Sequence, residues 1–315
     1  MKLIIQIPCF NEELYLPSTY KDLPKNINGI DKIEYLVIDD GSNDKTYEIA
    51  KELGIQHIIK LGSNRGLAKA FKSGIEYCLM QGADIVVNTD GDNQYYGRDI
   101  EKLIIPILNS EADMVIGCRP IRKHQEFSVT KKFLQILGSW VVRKISRTRV
   151  RDVTSGFRAY SRETCLRLNL VSNYSHTIET IIQVGNSGLR ISNVDIQVNK
   201  KNRASRLFKS IPQFIFFSSG TIIKMFMYYS PGRFYTLISS LFFLPALFLG
   251  VRFIYLVFFT YNPGRTYIPS LILLSILVVF GIILISLGLI GEKFKIIRHT
   301  QNEVLYLIKK SRFDK

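Results

Sequence analysis

The fold is read most directly from Ile85-Val86-Val87-Asn88-Thr89-Asp90-Gly91-Asp92-Asn93-Gln94. A short apolar run suited to a buried strand passes straight into an acidic turn, and the glycine between the two aspartates lets the backbone bend tightly. The pattern occurs twice more upstream. Lys2–Pro8 leads into Asn11-Glu12-Glu13, and Glu34–Asp39 leads into Asp40-Gly41-Ser42. His57–Lys60 and Met114–Gly117 also read as strands. Helices are predicted over Glu12–Leu23, Lys45–Leu53, Leu67–Gln81, Asp99–Asn109 and Thr130–Ser146. This alternation predicts an α/β domain with a mostly parallel sheet and helices on both faces. Such sheets bind ligands at the carboxyl ends of their strands, where the polar residues gather here. Neither GxGxxG nor GxxxxGK[ST] is present, which removes dinucleotide oxidoreductases and P-loop NTPases.

The 315 residues carry 42 Lys+Arg against 26 Asp+Glu, a net charge of +16. Hydrophobic residues make up 47% of the chain, which excludes a disordered one. Cys9, Cys78, Cys118 and Cys165 lie far apart, so reduced thiols are expected rather than a disulfide framework or zinc site. The four histidines, His57, His124, His176 and His299, form no cluster.

Apolar residues concentrate in the last third. Phe234–Phe259 has Arg252 as its only charge and Ile268–Ile290 has none, each long enough to cross a bilayer. Arg252 is expected to snorkel. Lys293, Lys295, Arg298, Lys309, Lys310, Arg312 and Lys315 follow the second run, Lys224 and Arg233 precede the first, and the turn between them has only Arg265. This predicts a hairpin with both termini cytoplasmic. The strand-like run directly after Met1 predicts no cleavable signal peptide. Leu207 to Tyr229 reads as amphipathic and suited to a membrane surface. The predicted organisation is a cytoplasmic catalytic domain at 1–206, interfacial amphipathic helices at 207–232, a transmembrane hairpin at 233–291 and a basic cytoplasmic tail at 292–315. The basic excess suits anionic headgroups, and no nucleic-acid recognition motif accompanies it.

Asp90 and Asp92, at i and i+2 on a turn, can face one hard cation, Mg²⁺ or Mn²⁺, shared with substrate phosphates. In Asp39-Asp40-Gly41-Ser42-Asn43-Asp44, Asp39 can accept from a base N–H while Ser42 and Asn43 cap the next helix. Asn64-Arg65-Gly66 reads as helix capping, with Arg65 free to meet a diphosphate. Asp152-Val153-Thr154-Ser155-Gly156-Phe157-Arg158 and Asn202-Arg203-Ala204-Ser205-Arg206 pair hydroxyls with arginines, natural partners of an anionic lipid headgroup.

Seven strings occur in order: IPCFNEE (7–13), VIDDGSNDKT (37–46), NRGLAKAFKSG (64–74), DGDNQ (90–94), GCRP (117–120), DVTSGFRAYSRE (152–163) and NRASRL (202–207). Together they resemble the inverting glycosyltransferases of family 2 with a GT-A fold, and more narrowly the polyprenyl-phosphate (dolichyl- or undecaprenyl-phosphate) hexosyltransferases. The resemblance spans residues 1 to about 210. It implies that Pro8, Phe10, Asn11, Glu12 and Asp39 line the nucleotide pocket, Phe10 standing where tyrosine is frequent. It implies that Asp90, Asp92 and Gln94 hold the metal and diphosphate, with Gly91 a harmless replacement for alanine. Arg119, Ser155, Arg158, Arg203 and Ser205 match acceptor-phosphate positions, and Arg206 replaces a lysine. Asp92, Arg119 and Asp152 are the implied catalytic residues, Asp152 as a base if the acceptor is an alcohol.

The expected reaction moves a hexose from a UDP- or GDP-linked donor to polyprenyl phosphate, inverting to a β-linked product. A phosphate monoester has a second pKa near 6, so it needs no general base. The alternative acceptor is a hydroxyl of a glycolipid or polysaccharide precursor. A processive synthase lacks its QxxRW motif here, since the single tryptophan, Trp140, sits in GSWVVRK. The hairpin and tail offer surfaces for a homo-oligomer.

Overall fold

Strand β1 (Lys2–Cys9) is buried at seven of its eight residues, as a strand covered on both faces must be. The computed structural model describes residues 1–120, 138–144, 146, 148–170, 176–199, 219–220, 223–259 and 267–313. Around β1 stand β2 (Lys32–Asp39), β3 (His57–Lys60), β4 (Ile85–Asn88), β5 (Met114–Cys118), β6 (Arg158–Ser161) and β7 (Ile191–Asp195), in the order β3-β2-β1-β4-β6-β5-β7. Only β6 runs antiparallel to its neighbours. The mostly parallel sheet is therefore as expected, with one reversed strand.

Register sets where the site forms. Cys9 pairs with Asp39 and Gln6 with Asn88, so β1, β2 and β4 end along one edge and deliver their following loops to the same place. On one face Leu3, Ile5, Ile7, Val37, Val87 and Phe157 pack against helices α1 (Leu16–Asp22) and α4 (Ile100–Leu108). Helix α2 (Thr46–Glu52) links β2 to β3. On the other face lies α3 (Leu67–Met80), so close that a Cβ on Gly74 would meet Gln6 Oε1 at 2.3 Å. Sequence patterning does not reveal β6, β7, α5 (Arg162–Arg167) or α6 (His176–Asn186). Residues 138–144 are helical, within the predicted Thr130–Ser146 helix.

The chain forms two compact units, Met1–Ser219 with Asn302–Lys315, and Gly220–Gln301. Helix α7 (Pro231–Phe259) belongs to the second unit, and α8 (Ile268–Phe313) gives its residues up to Gln301 to that unit and its remainder to the first. Both are long and apolar enough to cross a membrane. Their apolar side chains face outward, with Leu241 67% and Phe248 69% exposed, unlike helices of a soluble core. They meet closely where glycine permits it, a Cβ on Gly281 falling 2.7 Å from the Phe243 ring. The turn at 261–266 and most of the amphipathic 207–229 stretch lie outside the described residues.

The last segment is not a free tail. No proline interrupts α8 after Ile290, and residues 302–313 pack within the first unit. Tyr306 donates its hydroxyl to Glu163 at 3.1 Å, the Arg167 guanidinium stacks on its ring at 4.1 Å, and Lys309 Nζ donates to Leu168 O at 2.7 Å.

Candidate active site

The loops after β1 and β2 are stitched to each other. Asn11, at φ 56°, donates its N–H to Ser42 Oγ at 2.9 Å and accepts from Asn43 N–H at 2.8 Å. Glu12 N–H donates to Thr46 Oγ1 at 2.8 Å. This corrects the capping expectation: Ser42 and Asn43 bridge to Asn11, and α2 starts after Lys45 without a side-chain cap. Asp39, 1% exposed, accepts Ser42 N–H at 2.9 Å. Asp40 takes the N–H groups of Arg65 and Gly66 at 2.8 Å each, so it pins the turn that leads into α3, which itself has no side-chain cap. Arg65 is exposed, as a role outside capping requires. Pro8 and Glu12 are buried and Phe10 half-buried along this rim.

The acidic loop is held from below and from the side. The Asp90 carboxylate lies against Gly156, where a Cβ would stand 3.2 Å from Oδ1. Gly156 is itself fixed, its N–H donating to Tyr95 Oη at 3.1 Å and its carbonyl accepting from Asn88 Nδ2 at 2.9 Å. Asp92 Oδ1 accepts Gln94 N–H at 3.2 Å, and Gln94 O accepts Asn199 N–H at 2.9 Å. Gly91 is not a neutral replacement for alanine. A Cβ there would meet Cys9 Sγ at 2.8 Å, so the sulfur occupies the space a methyl would need.

Asp90 and Asp92 supply only hard oxygen donors, a set that fits Mg²⁺ or Mn²⁺. Among the described residues no group of three or more His, Cys, Asp or Glu converges on a metal position.

Beside this loop sits Arg119, just past β5. Its Nε donates to Asp152 Oδ2 at 2.8 Å, and Nη2 donates to Asp152 Oδ1 at 3.0 Å and Thr154 Oγ1 at 2.7 Å. Nη1 makes no hydrogen bond to the described residues. Burial opposes the charge on Arg119, but Tyr95, Asp152 and Asp90 outweigh it and raise its pKa. Burial likewise works against ionised Asp152, and Arg119 overcomes it, holding that carboxyl below its usual range. Asp152 thus holds the Arg119 guanidinium at two points. Tyr95, stacked on Phe157 at 4.9 Å, has its hydroxyl pushed up to about 12 by burial and by Asp90.

Ser155 and Arg158 depart from their expected role. Both are fully buried. Arg158 donates through Nε to Ser155 O at 2.7 Å, through Nη1 to Thr177 O and Thr180 Oγ1 at 2.7 Å each, and through Nη2 to Val153 O at 2.8 Å. Its fork is spent on the backbone, clamping the Asp152–Ser155 loop to α6, and no edge faces a phosphate. Ser155 Oγ accepts Phe157 N–H at 3.3 Å. Arg203, Ser205 and Arg206 lie outside the described residues. Sequence reasoning missed Tyr95, whose contact to Gly156 comes from a loop distant in the chain; the aromatic directly after Gln94 was the available signal.

Residues 4–167 match the family model described as glycosyl transferase family 2. The chain is 30% identical over 213 residues to the UDP-N-acetylglucosamine–dolichyl-phosphate N-acetylglucosaminyltransferase of Methanococcus voltae, covering 61% of this chain and 83% of that protein. It is 27% identical over 206 residues to the undecaprenyl-phosphate mannosyltransferase of Micrococcus luteus, covering 62% and 83%. Glucosyl-3-phosphoglycerate synthase from Mycobacterium tuberculosis, solved with Mn²⁺, uridine diphosphate and phosphoglyceric acid, matches with a TM-score of 0.55 at 20% identity. That match covers 71% of this chain and 77% of the other, a likeness of fold alone.

Proposed function

Since the chain belongs to glycosyl transferase family 2, we propose that this glycosyltransferase moves a hexose from a UDP- or GDP-sugar to polyprenyl phosphate. In-line attack inverts the anomeric centre and gives a β-linked lipid-phosphate sugar. The observation that carries this reading is the Arg119 guanidinium, aligned by Asp152, with its Nη1 corner unspent among the described residues and electrostatically coupled to Asp90. It offers a fixed cation to an acceptor phosphate beside the residues suited to the donor diphosphate. Names of the relatives in two organisms, both acting on polyprenyl phosphates, support the acceptor class.

Pro8, Phe10, Asn11, Glu12 and Asp39 form the nucleotide side, with Asp90, Gly91 and Gln94 at the diphosphate. A divalent cation held by Asp90 and Asp92 would neutralise the leaving diphosphate. The acceptor is already dianionic near pH 7, so Asp152 need not take a proton. The Lys and Arg bias about the two spans supports a hairpin with both termini and the catalytic unit cytoplasmic.

The test uses the purified full chain, undecaprenyl phosphate, Mn²⁺ and a panel of radiolabelled nucleotide-sugars. Label should enter the lipid phase from one donor, and EDTA or Asp92→Ala should abolish it. No transfer to lipid phosphate from any donor, with transfer to a glycolipid hydroxyl instead, would overturn the acceptor assignment.

A further inference from the structure

Trp140 is the chain's single tryptophan, and it is 51% exposed on the helical residues 138–144. The inward face of this stretch is plain: Ser139, Val142 and Ser146 are buried at helical spacing. Helix α6 presses on its end, where a Cβ on Gly185 would meet Ser146 O at 2.5 Å. Trp140 and Lys144, one turn apart, share the outward face, with Nζ 5.9 Å from the ring centroid. Residues 138–151 contain Arg143, Lys144, Arg147, Arg149 and Arg151 and no Asp or Glu. Lys144 and Arg149 are exposed, while Arg151 pairs with Asp195 at 3.1 Å.

A large exposed indole beside Lys144 and Arg149, which make no ion pair among the described residues, suits the headgroup layer, where the ring leaves water and the charges meet anionic lipid. A second copy of the same all-cationic segment would be repelled by it. We propose that this helix is a membrane contact of the catalytic unit itself, resting on an anionic lipid surface through Trp140, Lys144 and Arg149. The segment that follows is anchored to the sheet: Arg143 Nη1 donates to Val150 O at 3.2 Å, Arg151 N–H to Asn193 Oδ1 at 2.9 Å, and Asn193 Nδ2 to Arg149 O at 3.2 Å. The contact therefore leads through a braced connection to Asp152, which holds Arg119, and brings the end of the site carrying that cation to headgroup level. The inference rests on the chain being membrane-bound, not on the identity of the acceptor.

Because Trp140 is unique, its fluorescence reports this contact without any activity assay. The full chain is reconstituted in vesicles of equal parts phosphatidylglycerol and phosphatidylcholine, with and without bromine on the lipid chains. Brominated lipid should quench Trp140 strongly and aqueous acrylamide weakly. The Lys144→Gln/Arg149→Gln double variant should lose most of the lipid quenching. Its KM for a lipid acceptor should rise about fivefold or more, with the donor KM unchanged. Quenching by acrylamide alone would mean a solvated basic collar. Quenching by neither would mean a covering protein surface, and either result overturns the proposal. A chain that transfers no sugar yet shows lipid quenching would refute the proposed reaction and leave the membrane contact standing.

Discussion

Arg119 and Asp152 form a two-point ion pair, Nε to Oδ2 at 2.8 Å and Nη2 to Oδ1 at 3.0 Å, with the carboxylate 1% and the guanidinium 15% exposed. The pair fixes a cation in direction as well as in charge, because a planar fork held along one edge can present only its remaining corner. Asp152→Asn keeps the shape and removes the charge. Losing one partner of such a pair costs about 3 kcal/mol, the low end of the buried-pair range because Arg119 is partly exposed. The variant should unfold at lower temperature in detergent and lose at least tenfold in kcat/KM for the acceptor, with donor KM little changed. Unaltered acceptor kinetics would sink the orienting role.

Cys9 and Gly91 divide one space between them. Gly91→Ala should destabilise the chain by about 1–3 kcal/mol through overpacking against Sγ. Adding Cys9→Ala should return much of that loss, a coupling that a double-mutant cycle measures directly. Simple additivity would show that the loop accommodates the methyl elsewhere.

Arg158 binds four backbone or hydroxyl acceptors and faces no solvent. Arg158→Met leaves those acceptors unsatisfied inside the protein, a cost of about 1–3 kcal/mol for each one left without a partner. The expected result is poor folding rather than a folded enzyme with a weakened acceptor site. A stable Arg158→Met protein with only a raised acceptor KM would restore the direct phosphate role.

His176 is fully buried, stacked on the Phe71 ring at 4.1 Å, and neither ring nitrogen has a hydrogen-bond partner among the described residues. Burial, aided by Arg158, lowers its pKa from 6.5 to about 3. Unfolding therefore takes up a proton whenever the pH lies between those values. Its contribution to stability is complete above about pH 6.5 and is lost as the pH falls toward 3, at about 1.4 kcal/mol per unit. Asp152, with its lowered pKa, adds a separate loss only below the ordinary carboxylate range near 4. Denaturant titrations across pH 4.5–6.5 should show the slope, and His176→Phe should remove it.

The sheet was legible because β1, β2 and β4 are apolar runs that end in polar turns, a pattern that survives without knowledge of any neighbour. Strand β6 was not legible, since Arg-Ala-Tyr-Ser at Arg158–Ser161 has no apolar run. It becomes a central strand because carbonyls from Val153, Ser155 and Thr177 receive the arginine. The packing of the end of α8 was not legible for a related reason. Its lysines and arginines look solvated until Glu163, Arg167 and Leu168 supply partners for Tyr306 and Lys309.

By itself the sequence determined the α/β class, the two apolar helices and the acidic loop at Asp90 and Asp92, all properties written in local period, length and residue type. Tertiary structure alone decided what each arginine does. Arg119 and Arg158 stand close in chemistry and were read alike, yet among the described residues one keeps Nη1 open while the other spends its fork on three backbone carbonyls and the Thr180 hydroxyl. A guanidinium acts through whatever lies within about 3 Å of it, and those neighbours come from chain segments that local pattern does not bring together.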